Sequence, residues 1–99
     1  LDGLTTVAHA DALPEGALLL DVRGPAEVAQ GALPGAVNIP LHQLRARAGE
    51  LPQSRKIVVY CQVGLRGYVA ERILKQLGFD AANLSGGIVT WQMFQAASA

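Results

Sequence analysis

Ile57-Val58-Val59-Tyr60-Cys61-Gln62-Val63-Gly64-Leu65-Arg66-Gly67 is the stretch on which the fold turns. Its first four residues are continuously apolar and mostly β-branched or aromatic, the composition of a central parallel strand covered on both faces. A glycine-containing loop follows, and then the strongest helical pattern in the chain, over residues 67–77. Val69, Ile73 and Leu77 make its apolar stripe, Ala70 and Leu74 widen it, and Glu71 with Lys75 forms an i,i+4 pair. Gly78 is the expected stop. A buried strand that runs through a short loop into a helix is the repeating unit of a parallel α/β sheet.

The flanking segments extend that plan in both directions. Leu18-Leu19-Leu20-Asp21-Val22 reads as a strand halted by Gly24-Pro25, with Pro25 at the first position of a short helix through Gln30. Residues 31–34 form a loop and 36–39 a second short strand. Leu41, Leu44 and Ala48 share one helical face, with Arg45 and Arg47 turned away, and Pro52 closes that helix. Residues 81–84 read as a further strand. Gly86-Gly87 opens a last helix on which Ile88, Trp91 and Phe94 share a face, and residues 4–7 add an edge strand. No repeat, linker or low-complexity tract interrupts the order, so residues 1–99 are expected to form one α/β domain.

Composition bounds the function. Hydrophobic residues make up 51% of the chain and charged residues 16%, enough to bury a core. Eight basic residues balance eight acidic ones, which argues against a nucleic-acid binder, usually marked by a basic excess. No apolar run approaches the roughly 18 residues of a membrane span, and nothing at the start reads as a signal peptide. A single cysteine excludes an internal disulfide, and one thiol with two scattered histidines makes no structural metal site. A lone thiol suits a reducing, cytoplasmic compartment. The start at Leu1 rather than Met leads us to expect a domain taken from a longer protein.

Cys61 stands at the C-terminal end of the central strand, where open α/β sheets bind ligands. The backbone N–H groups of residues 62–66 are expected to point inward as an anion cradle, backed by about half a positive charge from the helix dipole. Gly64 supplies the backbone freedom of a tight loop. A thiol at the base of this cradle is favoured as the thiolate, and Arg66 is placed to hold a negatively charged substrate group over the sulfur. Sulfur transfer and phosphate-ester hydrolysis both suit this plan. Four residues separate Cys61 from Arg66; cysteine-dependent phosphatases place one more there, which widens the ring for a phosphoryl group. The tighter ring suits one extra sulfur atom, and no carboxylic acid beside the loop stands out to protonate a leaving group. Sulfur transfer is the reading taken.

Three stretches resemble rhodanese domains. Leu20-Asp21-Val22-Arg23, followed by Glu27, Gly31 and Pro34-Gly35-Ala36-Val37-Asn38-Ile39-Pro40, is similar to the family's N-terminal signature. Tyr60-Cys61-Gln62-Val63-Gly64-Leu65-Arg66 is similar to its active-site loop, and Leu84-Ser85-Gly86-Gly87-Ile88-Val89-Thr90-Trp91 to its C-terminal signature. The resemblance implies a five-stranded, mostly parallel sheet with helices on both faces. It implies a sulfurtransferase in which the Cys61 thiolate takes sulfane sulfur from thiosulfate or a low-molecular-weight persulfide. The resulting persulfide passes that sulfur to a thiol or cyanide. Gln62, Val63, Gly64, Leu65, Arg66 and Gly67 would line the substrate. The loop wording most resembles rhodanese domains C-terminal to flavin-dependent coenzyme A-disulfide or persulfide reductases. That resemblance implies no metal or organic cofactor in the domain itself; flavin, nicotinamide and coenzyme A would bind in a fused or partner reductase. A non-catalytic docking module is the rival, though such modules typically lack the cysteine or disturb its loop.

Two departures stand out. Ala32, followed by Leu33, occupies a place where the family often has His, and a structural change only is expected there. Gly67 replaces a frequent Ser or Thr, removing a hydroxyl that could bond the substrate or cap the helix. Elsewhere the plainer readings are preferred. Asp21 caps the next turn and Arg23 makes an ion pair. His9 and His42 are surface residues, while Trp91, Met93 and Phe94 belong to the core and rim of the last helix. Arg45, Arg47, Arg55 and Lys56 form a solvated face.

Overall fold

A computed structural model describes residues 7–9 and 12–98. Strand β1 (Val7–Ala8) precedes strands β2 (Leu18–Asp21), β3 (Val37–Asn38), β4 (Ile57–Tyr60) and β5 (Ala81–Leu84), which alternate with helices α1 (Pro25–Val28), α2 (Leu44–Arg47), α3 (Leu65–Gln76) and α4 (Gly87–Ser98). The strands lie in the order β1-β5-β4-β2-β3, and every pairing is parallel. The five-stranded sheet implied by the resemblance is thus present in reduced form: three strands of four residues, with a two-residue pairing at each edge. Of the expected edge strand over 4–7, only Val7 falls within the described residues.

Alternation along β4 divides the core. Ile57, Val59 and Cys61 face one layer, with Leu44, Ala48, Ala70 and Leu74 from α2, its flank and α3 packed on them. Val58 and Tyr60 face the other, against Leu33, Ala82, Leu84 and Ile88. All four residues of β4 are completely buried, and each aliphatic side chain so buried stabilises the fold by about 1.5–3 kcal/mol. Register then places the site. Leu20 pairs with Val59 and Asp21 with Tyr60, so the end of β2 lies beside the residue that precedes Cys61.

Several local expectations need correction. The helix expected over 41–51 is a 3-10 turn (Leu41–Gln43), one turn of α2, and a second 3-10 turn (Ala48–Glu50). Helix α1 ends at Val28, short of Gln30. The strand expected over 36–39 shortens to Val37–Asn38, although the Ile39 amide still donates to the Asp21 carbonyl at 3.0 Å. Helix α3 begins at Leu65, two residues early, because Gly64 at φ +117° supplies the left-handed turn that starts it. Its buried line is Gly67, Ala70, Glu71 and Leu74, while Val69 and Leu77 are 39% and 38% exposed. Gly67 sets this phase by lying against the Asn83 side chain and the Tyr60 backbone. Glu71 pairs with Lys75 at 2.8 Å as expected, but from a fully buried position. Among the described residues of α4, Gly87 and Ile88 are buried; Trp91 packs at the core edge and Phe94 is 41% exposed.

Candidate active site

Parallel strands point their C-terminal ends to one edge, and there β4 delivers Cys61 directly beneath the start of α3. The thiol is buried. Its sulfur accepts N–H donors from Gly64 at 3.1 Å and Gly67 at 3.3 Å. Donors aimed at a sulfur stabilise negative charge on it, as does the N-terminal end of a twelve-residue helix. The expected cradle over 62–66 therefore contributes its Gly64 amide, and Gly67, one residue beyond, supplies the second. Gln62 is exposed, and its Oε1 accepts from Arg23 Nη1 at 3.4 Å. Val63 and Leu65 are 65% and 73% exposed, placing two apolar side chains at the loop surface.

The last helix locks this loop from behind. The Ile88 amide donates to the Cys61 carbonyl at 2.9 Å and the Val89 amide to the Gln62 carbonyl at 3.2 Å. Gly87 sits at φ +64°, and a Cβ there would collide with the Cys61 carbonyl oxygen. Asn83, central in β5, donates from Nδ2 to the Gly64 carbonyl at 3.0 Å. Its buried Oδ1 lacks a hydrogen-bond partner and occupies the space a Gly67 Cβ would need. Gly67 is thus not simply a missing hydroxyl: its side-chain volume is taken by Asn83, and its amide reaches the sulfur. A polar residue within the apolar run Ala81-Ala82-Asn83-Leu84 was the available signal for Asn83.

Beside the loop, Asp21 and Arg23 form a buried pair at 2.7 Å, exposed by only 1% and 3%. Asp21 Oδ1 also accepts the Arg23 amide at 2.9 Å, capping the turn as expected. Arg23 Nη2 donates to the Gly31 carbonyl at 2.7 Å, and Asn38 Nδ2 holds the Asp21 and Arg23 carbonyls. Bonds to Asp21 raise the Arg23 pKa further above its ordinary value. Burial pushes Tyr60 up to about 12, and its hydroxyl accepts the Leu33 amide at 3.1 Å. Ala32 is exposed beside the buried Leu33, so the departure from His falls on the surface. His9 and His42 are exposed. The cations expected on a solvated face have partners: Arg45 bonds Gln76, Arg47 bonds Glu50, Arg55 the Gly16 carbonyl and Lys56 Asp80.

Arg66, expected to hold a substrate's negative charge, is engaged by a carboxylate of the chain itself. Its Nη1 and Nη2 donate to Glu27 Oε1 and Oε2, each at 2.7 Å. Glu27 is set by α1, where it caps the turn by accepting the Gly24 amide at 3.1 Å. The Arg66 hydrogen bonds, helped by the Gly24 amide, hold the Glu27 carboxyl at about 2. Both side chains are more than a third exposed, so solvent limits the pair to about 1 kcal/mol or less. The folded pKa lies below the ordinary 4.5, so that contribution is complete above pH 4.5 and is lost as pH falls toward 2. Urea melts should show wild type more stable than Glu27→Gln at neutral pH, with the gap closing across that window. A gap constant down to pH 2 would contradict the pairing.

The chain matches the family described as Rhodanese-like domain over residues 6–94, and it belongs to that family. A sulfurtransferase of Allochromatium vinosum is 45% identical over 78 residues, which cover 78% of this chain and 73% of that one. Reduced Bacillus anthracis CoADR-RHD superimposes with a TM-score of 0.87 at 38% identity, covering 91% of this chain and 17% of that one. A NAD-dependent persulfide reductase from A. fulgidus does so at 0.77 and 36% identity, covering 91% and 16%. The chain is therefore similar to domains of much larger reductases, as well as to a sulfurtransferase of near its own length. Among the described residues, no helix is long and apolar enough to cross a membrane.

Proposed function

We propose that this domain transfers sulfane sulfur through a persulfide on Cys61. The observation that carries this reading is the buried sulfur with the Gly64 and Gly67 amides directed at it. The Cys61 thiolate attacks the outer sulfur of a donor R–S–SH, a new S–S bond forms, and the old one breaks to release the thiolate RS⁻. An acceptor thiolate or cyanide then takes the outer sulfur and frees Cys61. With thiosulfate the leaving group is sulfite. Gln62, Val63, Gly64, Leu65, Arg66 and Gly67 form the wall against which the donor rests, and the loop amides hold the anionic sulfur. No cofactor takes part in these steps.

The similarity to two reductase chains supports a setting in which a fused or partner flavoprotein reductase supplies or consumes the persulfide. Flavin, nicotinamide and coenzyme A would bind to that partner, in a reducing, cytoplasmic compartment. Intact-protein mass spectrometry after incubation with thiosulfate, and separately with coenzyme A persulfide, tests the reading. A gain of one sulfur atom that cyanide removes is expected. Loading from the persulfide alone would favour the reductase-linked setting. No gain from either donor, in folded protein with a reduced thiol, would overturn sulfur transfer and favour a docking module.

A further inference from the structure

Arg66, in the first turn of α3, is the only cation among residues 61–68, yet its charge is already met. The guanidinium faces the Glu27 carboxylate through two parallel hydrogen bonds of 2.7 Å, the geometry in which such pairs are strongest. Glu27 is itself fixed, because Oε1 also accepts the Gly24 amide. At 38% and 39% exposure the two side chains stand at the surface rather than in the core. With Val22, Pro40, Leu41 and His42 they line a cleft of about 420 Å³. The Glu27 carboxyl at about 2 keeps this pair ionised and closed throughout the neutral range.

Sulfur donors differ in the charge that they bring to such a site. Thiosulfate carries its charge on the sulfonate beside the reacting sulfur and leaves as the sulfite dianion. An organic persulfide leaves as a thiolate, and any further charge lies at the far end of its carbon chain. A free arginine at the loop would favour the first kind, whereas an arginine occupied by a carboxylate presents no net positive charge to attract an incoming dianion. We propose that Glu27 is a specificity-determining residue that, by occupying Arg66, turns the site away from thiosulfate and toward organic persulfides with no charge near the sulfur. The proposal rests on the reading of Cys61 as the sulfur-accepting nucleophile.

The test compares wild type, Glu27→Gln and the double variant Glu27→Gln/Arg66→Ala. Loading of Cys61 is followed by quenched-flow mass spectrometry with thiosulfate and with the hydropersulfide of 2-mercaptoethanol. Gln retains an acceptor for the Gly24 amide, so α1 keeps its cap. The ratio of second-order loading constants, thiosulfate over hydropersulfide, is expected to rise about tenfold in Glu27→Gln, the scale of one hydrogen bond to a charged group. The change should appear as a lower half-saturating thiosulfate concentration, and it should vanish in the double variant. An unchanged or lower ratio in Glu27→Gln, or a gain that survives removal of Arg66, would overturn the assignment. If wild type loads from neither donor, the sulfur-transfer reading itself fails and takes this proposal with it. Loading with an unmoved ratio sinks the role of Glu27 alone.

Discussion

Cys61→Ser is expected to abolish sulfur gain from every donor, lowering loading by roughly three orders of magnitude or more, as removal of a nucleophile does. The fold should survive. A serine oxygen can accept the same Gly64 and Gly67 amides that now meet the sulfur at 3.1 and 3.3 Å, so the stability change should stay within about 1 kcal/mol. Intact mass and urea denaturation on the same sample separate the two effects. Cys61→Ala serves as the second variant, and it should also fail to load. Sulfur gain that persists without the thiol would remove Cys61 from the chemistry.

Gly87→Ala carries the largest expected cost to the fold. Its φ of +64° is unfavourable for any residue with a Cβ, and that Cβ would meet the carbonyl oxygens of Cys61 and Gln62. Those carbonyls accept the Ile88 and Val89 amides, so the clash cannot be relieved without pulling α4 from the loop. Left-handed strain and steric displacement together should cost about 3 kcal/mol, read as a lower urea midpoint. The surviving folded fraction should load sulfur at least tenfold more slowly, since a loop displaced by about 1 Å degrades catalytic positioning. Wild-type stability and loading in this variant would show that the C-terminal helix does not shape the site.

The parts legible from sequence were those written in contiguous residues. Strands β4 and β5 fall on residues 57–60 and 81–84 as read: β4 declares itself by uninterrupted apolar character, and β5 by a short apolar run broken only at Asn83. The loop was legible for a similar reason: Cys61, Gly64 and Arg66 lie within six residues at a strand end. The phase of α3 was not, since Val69 and Leu77 look as apolar as Ala70 and Leu74. What rotates the helix is the contact of Gly67 with Asn83, sixteen residues away. Glu27 stands out in the sequence only as part of a signature, because no local spacing rule links it to Arg66 across 39 residues. The Asp21–Arg23 pair was readable from two neighbouring positions, but its reach to Gly31 and Gln62 was not.

The bonds from Ile88 and Val89 to the carbonyls of Cys61 and Gln62 also have a bearing on how the molecule is made. The thiol leaves the ribosome well before the segment that buttresses its ring. A nascent chain that has emerged only as far as β4 and α3 holds the thiol without the backbone clamp that shapes its surroundings. The sulfur chemistry proposed for Cys61 therefore requires the first turn of α4 to have emerged, and a chain that stops short of it lacks that clamp.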